Sequence, residues 1–352
     1  MIEISQDKIA LSKLRQDIFT QIVNSKDLIE NLHNLVWENA ILTTEIVKQK
    51  KANPKWQNNK PINKNISKVL QQDAFRIYQA KKTGAIVLKL SINKTITQCA
   101  IECCKMTIEN EEQEWMWQRK LWPFLTSHAL AKLKLSAKNE AMSQFKNYLR
   151  SLLQVPLHKA QITMGVKASF YQGIRIVIVD GGGKLIDYSI IYPFAPVLAR
   201  EEGIKELAKL IIKYNVSLIA IGSGGIVMRD TKQLFDIIQQ RYPDLTYQVR
   251  SVDSVGAGGC IDLSLLELDA EYHACLSIAR RLQDPVLEIA KIDPCVLGEK
   301  FFFDTNKECL NKEVTAIIQN HCKKKHPIHK THFPKNTTMA DAFLKWKANS
   351  AK

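Results

Sequence analysis

The chain has 352 residues, 45% of them hydrophobic and 24% charged, and carries a formal net charge of +15. That length accommodates two or three domains with a sizeable core, and the charge points to a polyanionic partner such as nucleic acid, or to an anionic membrane face. No apolar stretch approaches about 18 residues and no signal-peptide pattern opens the chain. A membrane span is thereby excluded, and eight cysteines without a disulfide framework read as reduced thiols of a cytoplasmic protein.

Residues 1–47 read as helical. Leu11, Leu14, Ile18 and Ile22, then Leu28, Leu32 and Leu35, recur at helical spacing around a break at Asn24–Asp27. Residues 48–65 form a basic linker containing Pro54 and Pro61, and Lys48 to Lys68 holds seven lysines and no acid. Residues 66–159 form a mostly helical region with a short β segment. Strands are expected at Phe75–Tyr78 and Ala85–Leu90 around a turn at Lys82–Gly84, and helices over 96–118 and 121–153. Trp115, Trp117 and Trp122 fall in this helical part and are assigned to its core. Cys99, Cys103 and Cys104 share one helix, and Cys322, His326, His329 and His332 lie together near the end. Neither spacing matches a zinc signature, so no metal ligand is assigned.

From 160 to 283 the period changes. Strands are expected over 161–166, 174–180 and 184–191, the last two joined by Gly181-Gly182-Gly183. Helix 201–214, strand 216–221, helix 231–241, strand 247–252 and helix 263–282 follow. The order βββαβαβα builds a mixed sheet with helices on both faces, the α/β arrangement of the RNase H-like fold. Residues 284–320 make a C-terminal helical extension, in which Asp284-Pro285 and Asp293-Pro294 each cap a new element. Residues 321–352 are a basic tail, with eight lysines against Asp341 from Asn320 onward. Basic arms of this kind bind phosphate by counterion release without reading sequence.

The run from Ser277 to Pro285, continuing to Asp293-Pro294, closely resembles the bacterial Tex family of transcription accessory proteins where its YqgF-type, RNase H-like domain ends. Asn147–Leu153, Ile219–Gly224 and Val252–Gly258 are similar to further family segments, the last standing where the family has Glu-Ala-Gly-Ala. Phe75–Leu90 is similar to the segment before the helical region. The similarity covers roughly residues 66–322. Family members continue into helix-hairpin-helix elements and an S1 RNA-binding domain; this chain stops short of both, so functions resting on them are not carried over. The resemblance implies RNA or DNA as partner, bound through the basic arms and the sheet edge, and a link to the transcription machinery.

RNase H-like nucleases hold two Mg²⁺ ions about 4 Å apart with three or four carboxylates. The family's Asp-Pro-Gly on the first strand corresponds here to Lys167-Ala168-Ser169, and the second carboxylate position to Ser254. Glu271 and Asp284 are candidates for the third, Asp284 having a capping role already. Asp180 and Asp253 stay nearby, Asp180 reading as a turn residue. The expectation is a degenerate site with no catalytic residue, metal or cofactor. Candidate nucleic-acid contacts are Lys167, where a metal would have sat; Ser223 and Gly224, at a glycine-rich strand end that either approaches phosphate or simply turns; Arg280 and Arg281, clamping phosphates or pairing with acids on their own helix face; and Lys323, Lys324 and Lys325. Two alternatives stand beside this: a protein-interaction scaffold or specialised bacterial effector derived from a transcription accessory protein, and a divergent metal-dependent nuclease using Asp180 or Asp253.

Overall fold

The N-terminal periodicity produces helices α1 (Glu3–Asn24) and α2 (Lys26–Asn39) in a computed structural model that describes residues 3–47, 61–106, 110–154, 158, 161–169, 172–223, 227–260, 262, 265, 267–301 and 307–325. The chain divides into two compact units at the Gln144/Phe145 step.

In the first unit the helical reading of 1–47 fails over residues 41–46. Strand β1 (Ile41–Ile46) buries Leu42 and Thr44 in alternation, and it is the middle strand of an antiparallel sheet with β2 (Asn63–Asn65) and β3 (Ile86–Ser91). Phe75–Tyr78, expected as a strand, lies in helix α3 (Gln71–Lys82). Its buried residues Ala74, Phe75, Ile77 and Tyr78 follow the helical period rather than alternation. The helix expected over 96–118 is interrupted: α4 (Lys94–Cys103) and α5 (Asn110–Met116) are separate, and a π-helical turn at Trp117–Leu121 leads into α6 (Trp122–Leu153). Trp117 is buried, and Trp115 and Trp122 pack against the same core.

The second unit carries the expected mixed sheet. Strands β4 (Thr163–Ser169), β5 (Gly173–Val179) and β6 (Leu185–Ile191) form an antiparallel meander, while β7 (Leu218–Ser223) runs parallel to β4 and β8 (Gln248–Asp253) parallel to β7. The spatial order is β6-β5-β4-β7-β8. Helices α7 (Arg200–Tyr214) and α8 (Val227–Arg241) cover one face. There Ile204, Leu207 and Phe235 meet Met164, Val166, Ile176 and Ile221. Helix α9 (Ala270–Gln283) covers the other, packing Cys275 and Ala279 on Val177 and Val179, and Ala274 and Ile278 on Leu218 and Ala220. Each such buried aliphatic side chain contributes about 1.5–3 kcal/mol, so the two-sided burial of β4 and β7 anchors the unit. Gly165 lets α9 come this close: a Cβ there would lie 2.3 Å from the Cys275 carbonyl oxygen.

Beyond α9 come α10 (Pro285–Ile289), α11 (Pro294–Gly298) and α12 (Lys307–Lys325). Asp284 and Asp293 cap the first two as expected, accepting from the Leu287 and Cys295 amides at 3.3 and 2.8 Å. The arms at 48–60 and 326–352 lie outside the described residues. Among the described residues no helix is long and apolar enough to cross a membrane.

Candidate functional site

The C-terminal ends of the parallel strands β4, β7 and β8 point the same way, the place where open α/β sheets generally bind ligands. The N-terminus of α9 meets the end of β4. Asp269 caps the helix, accepting from the Glu271 and Tyr272 amides at 2.9 and 3.0 Å. Lys167 and Arg175 stand opposite each other on β4 and β5. Lys167 Nζ lies 2.8 Å from Glu271 Oε2, and Arg175 donates to Asp269 through Nε (3.1 Å) and a terminal nitrogen (2.9 Å). The Arg175 guanidinium is also 5.6 Å from the Tyr272 ring centre. Burial raises the Asp269 pKa, but the Tyr272 amide and Arg175 outweigh it and hold the carboxyl below its ordinary value. Two cations and two carboxylates thus cancel at the strand end.

The other acids have separate duties. Asp253, at the end of β8, accepts from the Tyr148 hydroxyl at 2.8 Å and the Val255 amide at 2.9 Å. Burial and then this bond to Asp253 raise the Tyr148 pKa, keeping the phenol protonated. Ser254 Oγ donates to the Ser223 carbonyl at 2.5 Å. Asp180 accepts from the Gly182 and Lys184 amides, both at 2.9 Å, as a turn residue does. Among the described residues no three His, Cys, Asp or Glu side chains gather to hold a metal. A magnesium pair needs hard anionic oxygens. The donors here do not fit it: an ammonium occupies the first-strand position and engages Glu271.

The expected contact residues differ in their surroundings. Lys167 and Ser223 stand at strand ends, and Gly224 lies outside the described residues. Arg280 does not pair with its own helix; it donates to the Gly183 carbonyl at 2.6 Å and to Asp262 at 2.8 Å. Arg281 is not a surface clamp. It is 3% exposed and donates to the carbonyls of Asp253 (2.6 Å) and Val255 (2.8 Å), fixing the turn after β8. Lys323, Lys324 and Lys325 end helix α12. Sequence reasoning missed Gln283, 4% exposed, whose amide nitrogen donates towards the Gln161 carbonyl (2.9 Å), the Asp180 carbonyl (2.8 Å) and Thr163 Oγ1 (3.1 Å). It also missed Arg175 and Asp269. The cap pattern Asp269-Ala270-Glu271 was the available signal for the latter.

Residues 161–283 match the family profile described as Tex protein YqgF-like domain. Protein tex of Bordetella pertussis is 25% identical over 345 residues, covering 90% of this chain and 44% of its own length. Transcriptional accessory protein Tex of Neisseria gonorrhoeae is 27% identical over 339 residues, with the same coverages. S1 RNA-binding domain-containing protein 1 of Homo sapiens is 23% identical over 337 residues, 85% of this chain and 33% of its own. The chain therefore spans less than half the length of these relatives.

Proposed function

Residues 161–283 being a Tex protein YqgF-like domain, in a chain related to the Tex proteins over most of its length, we propose that this chain binds nucleic acid and does not hydrolyse it. The names of two relatives, a transcriptional accessory protein and an S1 RNA-binding domain-containing protein, support a role in transcription or RNA handling. One observation carries the hydrolytic half of the reading: the ion pair between Lys167 and Glu271, 2.8 Å apart. It neutralises a helix carboxylate with a cation at the first-strand position. Phosphodiester hydrolysis by two metals needs that position anionic. The net charge of +15 supports the binding half. Lys167, Arg280 and Arg281 already have protein partners, so the basic stretches 48–65 and 321–352 supply most of the phosphate contacts, with Ser223 standing at the end of β7. Free thiols throughout the described cysteines support a reducing, cytoplasmic setting.

The test has two arms. Gel-shift titrations with RNA and DNA across a salt series are expected to show binding whose logarithm falls linearly with the logarithm of salt, by about 0.9 per neutralised phosphate on duplex DNA. Incubation of the same substrates with Mg²⁺ or Mn²⁺ is expected to leave them intact. Absence of a salt-sensitive shift overturns the binding reading. Metal-dependent cleavage that disappears in Asp253→Ala or Asp180→Ala overturns the hydrolytic reading and restores a nuclease.

A further inference from the structure

The two outer strands of the five-stranded sheet are finished differently. β8 carries Arg250 among exposed polar residues, a common way to blunt a sheet edge. β6 instead carries a bulge near its start, where Ile178 pairs with Asp187 and Val179 with Leu185, so that Ile186 is the extra residue and regular pairing runs from Asp187 to Ile191. Its seven residues, Leu-Ile-Asp-Tyr-Ser-Ile-Ile, contain no proline and one charged side chain, and among the described residues they pair only with β5. That charge, Asp187, is turned to the α7 face, where Oδ2 accepts from the Tyr214 hydroxyl at 2.6 Å and lies 3.5 Å from Lys213 Nζ. On the opposite face Ile186 is 42% and Tyr188 50% exposed, the Tyr188 ring standing edge-on to Tyr272 with centres 5.1 Å apart. The Tyr188 amide points away from β5. It donates to Asp187 Oδ1 at 2.9 Å, a local stopgap for an unpaired edge donor.

The order of side chains along β6 identifies what the edge accepts. Reversed about Tyr188, residues 186–190 are complementary to themselves: Ile186 falls opposite Ile190, Asp187 opposite Ser189, and Tyr188 opposite its own copy, while Leu185, before the bulge, stays outside the pairing. Apolar residues meet apolar residues, and each carboxylate meets a hydroxyl. The neighbouring registers are worse. Centred on residue 187 the two Asp187 carboxylates oppose each other; centred on 189 each faces Ile191. Both faces of the sheet also continue across the junction, because opposite residues in an antiparallel pair share a face. The outward amide and carbonyl of Tyr188 are placed to exchange both bonds with the same groups of the other copy.

We propose that β6 is a homodimerisation edge, at which a second copy of this chain adds its own β6 antiparallel about a two-fold axis through Tyr188, joining two five-stranded sheets into one of ten strands. The contact is isologous, so it closes at two copies and does not propagate.

A charge-swap experiment tests the register. Sedimentation of the wild-type chain from micromolar to millimolar concentration is expected to show a mass rising from 40.1 kDa to twice that value. In the double variant Ile186→Lys, Ile190→Lys, like charges face each other at both ends of the junction, and the mass stays at 40.1 kDa. The double variant Ile186→Glu, Ile190→Glu behaves likewise. An equimolar mixture of the two restores the doubled mass, which also shows that both variants are folded. Tyr188→Pro, sited where the amide faces outward and an edge strand tolerates proline, is monomeric. A wild type that stays monomeric throughout overturns the proposal. So does a dimer that survives in the lysine variant, or a mixture that fails to associate.

Discussion

The two ends of helix α9 are built on different principles. At its N-terminus Asp269 and Glu271 face Arg175 and Lys167 in partly exposed ion pairs, side chains that adjust and are screened by salt. At its C-terminus Arg281 and Gln283 are buried and serve backbone carbonyls of three different segments. The most recognisable words in the sequence, Ala-Arg-Arg-Leu-Gln-Asp-Pro, belong to the second end. They stitch the sheet together. The end with the ion pairs carries no such signature. A distinctive motif here marks architecture, and the chemistry is written in single residues a hundred positions apart.

That contrast is open to attack in order of expected effect. The largest lies where helix and sheet touch. Gly165→Ala drives a methyl into the Cys275 carbonyl, backbone that has no rotamer to move, and is expected to cost about 3–5 kcal/mol in urea unfolding. A cost near zero means that α9 does not sit against β4 as described. Next, Gln283→Ala strips the donor from three buried oxygens and is expected to cost about 2–3 kcal/mol, with the loss largely absent if those oxygens find other donors.

The middle of the helix gives a pH signature. Burial pushes the Cys275 thiol up to about 12 from an ordinary 9.0. A thiol raised on folding contributes its full stability below the ordinary value. It loses that contribution as pH rises through the interval, by about 1.4 kcal/mol per unit. Wild type is therefore expected to lose stability faster than Cys275→Ala above pH 9.0; parallel curves refute the buried, neutral thiol. The smallest effect is at the ion-pair end. Lys167 and Glu271 have side chains about one-third exposed, and Glu271→Gln is expected to change stability by no more than about 1 kcal/mol, less in high salt. A loss of several kcal/mol there erases the difference between the two ends.

Much of this was legible along the chain. The meander, the glycine turn and the alternation of helix and strand follow from apolar runs and turn residues whose signals are local. Asp284 declares itself as a cap through the proline after it. What was hidden was non-local or masked by residue type. Phe75-Arg76-Ile77-Tyr78 has strand composition, but the preceding Ala74 and the spacing of its buried positions make it a helix. Ile41–Ile46 becomes a strand because β2 and β3 flank it on both sides, which no window of sequence contains. Arg281 looked like a surface cation because arginine usually is one. Its place one turn from Ser277 and two from Ala274, both buried, was the cue that it faces inward. The Lys167–Glu271 contact spans 104 positions and only the fold brings it together.

The same contact has a consequence for how such a domain changes over time. Exchanging Lys167 for an acid, without a cation to bind, sets two carboxylates side by side; exchanging Glu271 strands an ammonium at the end of β4. At this exposure either single step costs no more than about 1 kcal/mol, so the two positions are only loosely tied, and an anionic strand end requires changes at both Lys167 and Ser254. Side chains 104 positions apart are thereby linked through one contact, while the surrounding scaffold is free to diversify.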